Sequence, residues 1–152
     1  MSVRLSADEA WAVIEQSRTG ILTTLRRDGM PISLPVWFVA LDRSICLATP
    51  ARTKKLARLR RDPRASFLVE SGERWAELIA VHLTGRVEVV EDAQLMARID
   101  TALEAKYAAL RTPRSSMPET TQEYYAERAF LRLMPDERIL SWDNRRLRSG
   151  GK

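Results

Sequence analysis

The residues with most to offer chemically lie in one basic run, Thr49-Pro50-Ala51-Arg52-Thr53-Lys54-Lys55-Leu56-Ala57-Arg58-Leu59-Arg60-Arg61-Asp62-Pro63. Leu56 and Leu59 stand three apart and Asp62-Pro63 is a stop signal, so the run reads as a short helix buried through its two leucines. Cations are favoured near a helix C-terminus. Here Arg52, Lys54 and Lys55 crowd the start, where unpaired backbone N–H groups already make the potential positive. An anion bound there makes an unfavourable arrangement favourable, and Thr53 adds a hydroxyl donor. On a helical wheel Lys54, Arg58 and Arg61 point away from the leucines and read as a solvated face, while Lys55 and Arg60 border the buried side.

Few other residues could do chemistry. His82 is the only histidine and Cys46 the only cysteine, which removes the usual zinc ligand sets. Cys46 lies in the apolar run Ser44-Ile45-Cys46-Leu47-Ala48 and is expected to be a buried thiol with no internal disulfide partner; His82 is expected to pack as a neutral strand residue. The six glycines form neither a dinucleotide fingerprint nor a phosphate-binding loop of the nucleotide hydrolases. No carboxylate pair stands out as an acid–base dyad. Catalysis by this chain is therefore expected to rely on a bound cofactor.

The elements that must position the basic helix follow from pattern. Ser6-Ala7-Asp8-Glu9 is a capping box opening a helix with Ala10, Trp11 and Ile14 on one face. Gly20 opens a β-branched strand, and Asp28-Gly29 is a hairpin signal. Residues 31–41 read as one strand, with Ile32, Leu34, Val36 and Phe38 on one face and Ser33, Pro35, Trp37 and Val39 on the other. Asp42-Arg43 turns into a strand over 44–48. After the basic helix come strands over 64–70 and 78–90, the second with Gly85 as a bulge or close approach. Asp92 caps a helix carrying Leu95, Ile99, Leu103 and Tyr107. A short helix around 122–128 and strands over 130–134 and 138–142 complete the chain. Six or seven strands in hairpin order with helices inserted predict a mainly β, antiparallel barrel or curled sheet.

The chain has 152 residues, 45% of them hydrophobic, which suits a single domain over 1–152. Lys and Arg number 25 against 20 Asp and Glu, a formal charge of 25 − 20 = +5. That balance permits several anionic partners and selects none. The N-terminus lacks a secretory apolar core, and no run is long enough to cross a bilayer. A cytoplasmic protein without membrane association is expected. Nucleic-acid binding is not expected, because the helix cations ring it rather than forming a stripe with interleaved aromatics.

Thr53-Lys54-Lys55 followed by Leu59 and Asp62-Pro63 resembles the Ser-Arg-Lys…Leu…Asn-Pro segment of the pyridoxamine-phosphate oxidases and their flavin-binding split-barrel relatives. Ala48-Thr49 occupies the place of that family's Tyr-Thr-like strand end. Pro31-Ile32-Ser33-Leu34-Pro35-Val36-Trp37 looks like the strand beneath the isoalloxazine ring. Thr84-Gly85-Arg86-Val87-Glu88-Val89-Val90 and Ile139-Leu140-Ser141-Trp142-Asp143 are similar to the short subgroup, many of whose members use the deazaflavin coenzyme F-420. The Arg…Lys strand motif and the C-terminal Arg-x-His-Asp-Arg-type segment of true pyridoxamine-phosphate oxidases have no counterpart here.

The resemblance implies a homodimeric split β-barrel with cofactor sites at the subunit interface, binding F-420 or FMN. It implies that Arg52, Thr53, Lys54 and Lys55 hold the cofactor phosphate. Residues Pro31, Ile32, Ser33, Leu34, Pro35, Val36, Trp37, Ala48 and Thr49 would then hold the remainder. The implied function is hydride transfer from the reduced cofactor to a small organic substrate, with a non-catalytic flavin carrier as the alternative. F-420 also carries an acidic tail, which arginines such as Arg58 and Arg61 could attract. Trp75, after a polar turn, is a candidate for the substrate entrance; Trp11 and Trp142 are expected to pack in the core or an interface.

Overall fold

A computed structural model describes residues 2–150, and the side chains of residues 2–147. Strands β1 (Gly20–Leu25), β2 (Pro31–Val36), β3 (Val39–Leu41), β4 (Ser44–Pro50), β5 (Arg64–Ser71), β6 (Ile79–Val89), β7 (Arg128–Pro135) and β8 (Leu140–Asp143) form one antiparallel sheet. The helices are α1 (Ala7–Gln16), α2 (Lys54–Arg61), α3 (Ala93–Tyr107) and α4 (Glu119–Ala126). The strand order is β2-β1-β5-β6-β7-β4-β3, with β8 added beside β6. The two edges, β2 and β3, are consecutive in the chain, so the sheet has to curl until they meet. That closure is incomplete, and the fold is a split barrel.

Local chemistry accounts for the elements. Ser6 accepts the Glu9 N–H while the Glu9 carboxylate accepts the Ser6 N–H, completing the capping box of α1. Gly29 takes φ +85°, which the turn between β1 and β2 requires. Asp42 and Arg43, at φ 51° and 53°, make the two-residue turn between β3 and β4. At Gly85 any Cβ would come within 2.1 Å of the Met134 carbonyl oxygen, so only glycine lets β6 and β7 pair there. The expected close approach is confirmed.

The barrel interior buries Trp11, Ile14, Leu22, Phe38, Phe67, Leu83, Leu131 and Leu133. A second cluster, with Val39, Cys46, Ile99, Leu103, Tyr107 and Phe130, holds α3 on the outside of β3 and β4. Each large apolar side chain so buried contributes about 1.5–3 kcal/mol. Cys46 is fully buried as expected, and burial pushes its thiol above the usual range. Trp11 is buried and Trp142 half-buried, while His82 sits half-buried on β6 opposite Leu68 and Leu140.

The structure corrects two expectations. Residues 31–41 are two strands, which raises the count to eight. The break has an identifiable cause: the Phe38 backbone N–H donates to the Tyr107 hydroxyl at 2.9 Å, and its carbonyl lies 2.9 Å from the same oxygen. Helix α3 has taken the backbone groups that a continuous strand would have paired. The helix expected around 122–128 begins earlier, at Glu119, and Arg128 already belongs to β7.

Candidate functional site

Helix α2 leaves β4 at Thr49-Pro50 and starts at Thr53, whose hydroxyl accepts the Leu56 N–H at 3.3 Å. Its first turn carries no acid and its last turn holds Arg58, Arg60 and Arg61. Leu56 and Leu59 are its buried residues, as the spacing predicts. The N–H groups of Lys54 and Lys55 are left without intrahelical acceptors by geometry.

Three polar groups converge at this start. Thr49, only 1% exposed, places its hydroxyl 3.2 Å from that of Thr53. Lys55 donates to the same Thr49 hydroxyl at 3.4 Å. Burial, aided by the positive charge of Arg58, holds the Lys55 ammonium below its usual pKa. A desolvated cation with only a hydroxyl for company lacks the anion that would offset its burial. Lys54, by contrast, is exposed.

The face of β2 supplies a flat neighbour. Ile32 lies opposite Thr24 and Leu34 opposite Leu22, so they share the inward side of β1. Yet Leu34 remains 41% exposed, and of the six residues Pro31 to Val36 only Val36 is buried. On the other face Ser33 and Thr23 share a hydrogen bond at 2.7 Å, with Pro35 beside Ile21. The β3–β4 ladder ends at Val39↔Cys46, so Ala48 and Thr49 have no β3 partner. Both β2 and the end of β4 thus lack a strand neighbour at the split, and Ile32 of β2 lines a depression together with Lys54 at the start of α2.

Not every expected residue joins this cluster. Trp37, 39% exposed, stacks parallel on Tyr107 with ring centroids 4.4 Å apart, and the Arg111 guanidinium lies 5.8 Å from its ring centroid. Arg52 is exposed and faces a separate cavity with Glu123, Tyr124 and Glu127 on the α4 side. Trp75 is exposed, as expected, but follows the Ser71 end of β5. The eight residues of β5 (about 25 Å at 3.3 Å per residue) separate it from the Arg64 end, where α2 terminates. Within one subunit it does not approach Lys55.

Arg58 departs from the solvated face expected for it. It is half-buried and donates through Nε to the Thr24 hydroxyl at 2.8 Å. Arg61, though exposed, donates to the Leu25 carbonyl at 2.8 Å. Both bonds dock α2 across the inward face of β1. Sequence reading missed Thr24 and the Leu25 carbonyl as their respective anchors and missed the Arg26-Arg27 pair of the neighbouring turn; the adjacent arginines before Asp28-Gly29 were the available signal. It also missed Lys106, which donates to the Phe38 carbonyl at 2.9 Å and lies 3.8 Å over the Phe38 ring. Burial, with Arg18 nearby, pushes Lys106 down to about 8.

Comparison with known proteins identifies the family and the fold. The profile of the pyridoxamine 5'-phosphate oxidase family matches residues 6–140. Among solved structures, the conserved hypothetical protein Rv2991 from Mycobacterium tuberculosis is 32% identical with a TM-score of 0.81, covering 99% of this chain and 92% of its own. A FAD-binding protein from Mesorhizobium loti is 22% identical at TM-score 0.69, covering 90% of this chain and 93% of its own. The heme storage protein HutZ from Vibrio cholerae is 14% identical at TM-score 0.70, covering 93% and 96%. The last two share the fold.

Proposed function

The chain belongs to the pyridoxamine 5'-phosphate oxidase family, and from that premise we propose that it is an oxidoreductase dependent on a flavin or on the deazaflavin F-420. The observation that carries this reading is Lys55: a desolvated cation on the buried Thr49 hydroxyl, at the start of a helix with no acid in its first turn. These groups fit a phosphate, which would accept from Lys55, Thr53 and the free N–H groups. The inward face of β2, where Leu34 stays exposed beside Ile32, fits one side of a planar ring.

When bound, such a cofactor supplies a hydride to an oxidised or unsaturated small organic substrate. The chain's own part is to neutralise the phosphate through Lys55, fix it with Thr49 and Thr53, and keep water off one face of the ring with β2. A homodimer with two sites at the interface follows from the same reading, since β2 needs a second cover. The exposed Trp75 would line a substrate entrance only if the partner subunit brings it to the ring.

A carrier without turnover is the second reading. It is favoured by the residue types at the split: apart from Lys55, the side chains of β2, Thr49 and Thr53 offer no acid or base for proton transfer. The test is separate titration of the purified protein with F-420 and with FMN, followed by tryptophan and cofactor fluorescence, then an assay of the reduced complex against a panel of acceptors. Binding with turnover supports the oxidoreductase, and binding without turnover supports the carrier. Binding of neither refutes both.

A further inference from the structure

We propose that two copies of the chain pair through the outward face of β1, β5, β6 and β8, and that His82 on that face makes the pairing acid-sensitive. This rests on the homodimer reading and adds to it which face pairs and what controls the pairing.

Strand register builds the face. Cross-strand partners point to the same side of a sheet, so Pro35, Ile21, Leu68, His82 and Leu140 form one unbroken row across five strands. Beside it runs a second row, Ser33, Thr23, Ser66 and Thr84. The residues that alternate with them, Leu22, Phe67 and Leu83, point into the barrel core, so both rows face outward. None of the nine is buried, and Leu140 is 56% exposed. The four helices are engaged elsewhere. Helix α1 fills the barrel through Trp11 and Ile14, α2 docks on Thr24, and α3 packs on β3 and β4. Helix α4 is tied to the Ala51 N–H through the Glu127 carbonyl.

Charge and size select a second copy as the occupant. The two rows hold no acid, lysine or arginine, in a chain whose residues are 30% charged. Around a two-fold axis a residue near the axis meets its own counterpart, so a self-pairing face has to avoid charge. The longer row spans four inter-strand spacings, about 19 Å. With the Ala80–Trp142 pair on its other side, the face runs about 13 Å along the strands. Side-chain margins bring the patch to the order of 500 Å², more than half of the roughly 800 Å² that each partner buries in a stable pair. The row also begins on β2, the strand that the homodimer reading already sets beside the second subunit.

His82 is the one residue of the two rows that gains a charge in mild acid, and it is the only histidine of the chain. Leu68 and Leu140 flank it across the strands. The charged residues nearest by register are Glu70, two beyond Leu68, and Arg138, two before Leu140, which oppose each other in sign. Asp136 is already engaged, accepting from the Thr84 hydroxyl at 2.8 Å. Among the described residues His82 belongs to no ion pair. A second copy laid over the row takes the imidazole out of water, which the neutral form tolerates and an unpaired imidazolium does not. An exposed histidine gains its proton near pH ~6.5. Keeping one neutral at about pH 5 costs about 30-fold in the pairing constant, and two copies up to about 1000-fold.

The experiment follows the oligomeric state by sedimentation velocity over a range of protein concentrations, from about pH 8 to about pH 5. The parent should be a dimer at the alkaline end, with a dissociation constant that rises about 100-fold or more toward the acid end. His82→Gln, which cannot gain a charge, should stay dimeric throughout. Leu140→Glu puts a charge into the same row at a side chain already in solvent. That variant should be monomeric at about pH 8 with the circular dichroism spectrum of the parent. A parent that stays dimeric at every pH overturns the switch and leaves the homodimer reading standing. So does a His82→Gln variant that dissociates in acid as the parent does. A Leu140→Glu variant as dimeric as the parent overturns the face. A parent that is monomeric at the alkaline end overturns the homodimer reading as well.

Discussion

Replacing Lys55 with alanine tests the phosphate assignment at its centre. The ammonium is desolvated in the free protein, with the Thr49 hydroxyl at 3.4 Å as its hydrogen-bond partner. Part of its dehydration has therefore already been met in folding, and contact with a phosphate returns a charge-assisted bond worth about 1.5–3 kcal/mol. At about 1.4 kcal/mol per factor of ten, FMN or F-420 affinity should fall roughly 10- to 100-fold. Stability should move the other way. A lysine held below its ordinary value of 10.5 by burial is a charge the fold tolerates at a cost, so Lys55→Ala should melt at the same temperature as the parent or higher. Parent affinity should also weaken as pH rises through the depressed Lys55 value, because the phosphate is bound by the protonated form; the variant should lack that step. Fluorescence titration from neutral to alkaline pH, with melting curves alongside, reads all three quantities. Affinity within about twofold of the parent, with the pH step intact, would refute the placement.

Other outcomes follow from the supporting framework. Lys106 has a folded value of about 8 against 10.5 unperturbed; the unfolded chain therefore holds more protons between these limits, and stability should rise with pH across that window. Lys106→Met should flatten this rise in melting temperature measured against pH. Tyr107→Phe leaves the buried Phe38 N–H without its 2.9 Å acceptor, at a cost of about 1–3 kcal/mol, read by denaturant unfolding. Gly85→Ala forces a Cβ to within 2.1 Å of the Met134 carbonyl oxygen, so β6 and β7 must part; a loss of about 1–3 kcal/mol or more is expected in the same assay.

Much of the scaffold is written in local signals. Ser6 with Glu9, Asp28-Gly29, Asp42-Arg43 and Asp62-Pro63 each fix a cap, turn or stop within a few residues, and each forms as expected. Gly85 was legible because a glycine inside a strand marks a close approach. The break at Trp37-Phe38 was not legible, because its cause is Tyr107, sixty-nine residues beyond Phe38. Helical spacing marked Tyr107 as buried but could not say that its hydroxyl would take the Phe38 backbone. The same limit applies to the site. The cations on α2 were evident, and the wheel separated Lys55 from Lys54 correctly. It could not place Thr24 and Leu25 under Arg58 and Arg61, since those partners lie on a strand far earlier in the chain. Nor could it send Arg52 to the α4 side, which depends on where α4 docks against the end of β4.

The claim that the α2 start holds a cofactor phosphate is tested most directly by comparing FMN with riboflavin, which presents the same ring without the phosphate. Titrations at one ionic strength should show FMN binding about tenfold or more tighter than riboflavin, and inorganic phosphate should compete with FMN. Equal affinity for the two flavins, or indifference of FMN binding to phosphate, would contradict it.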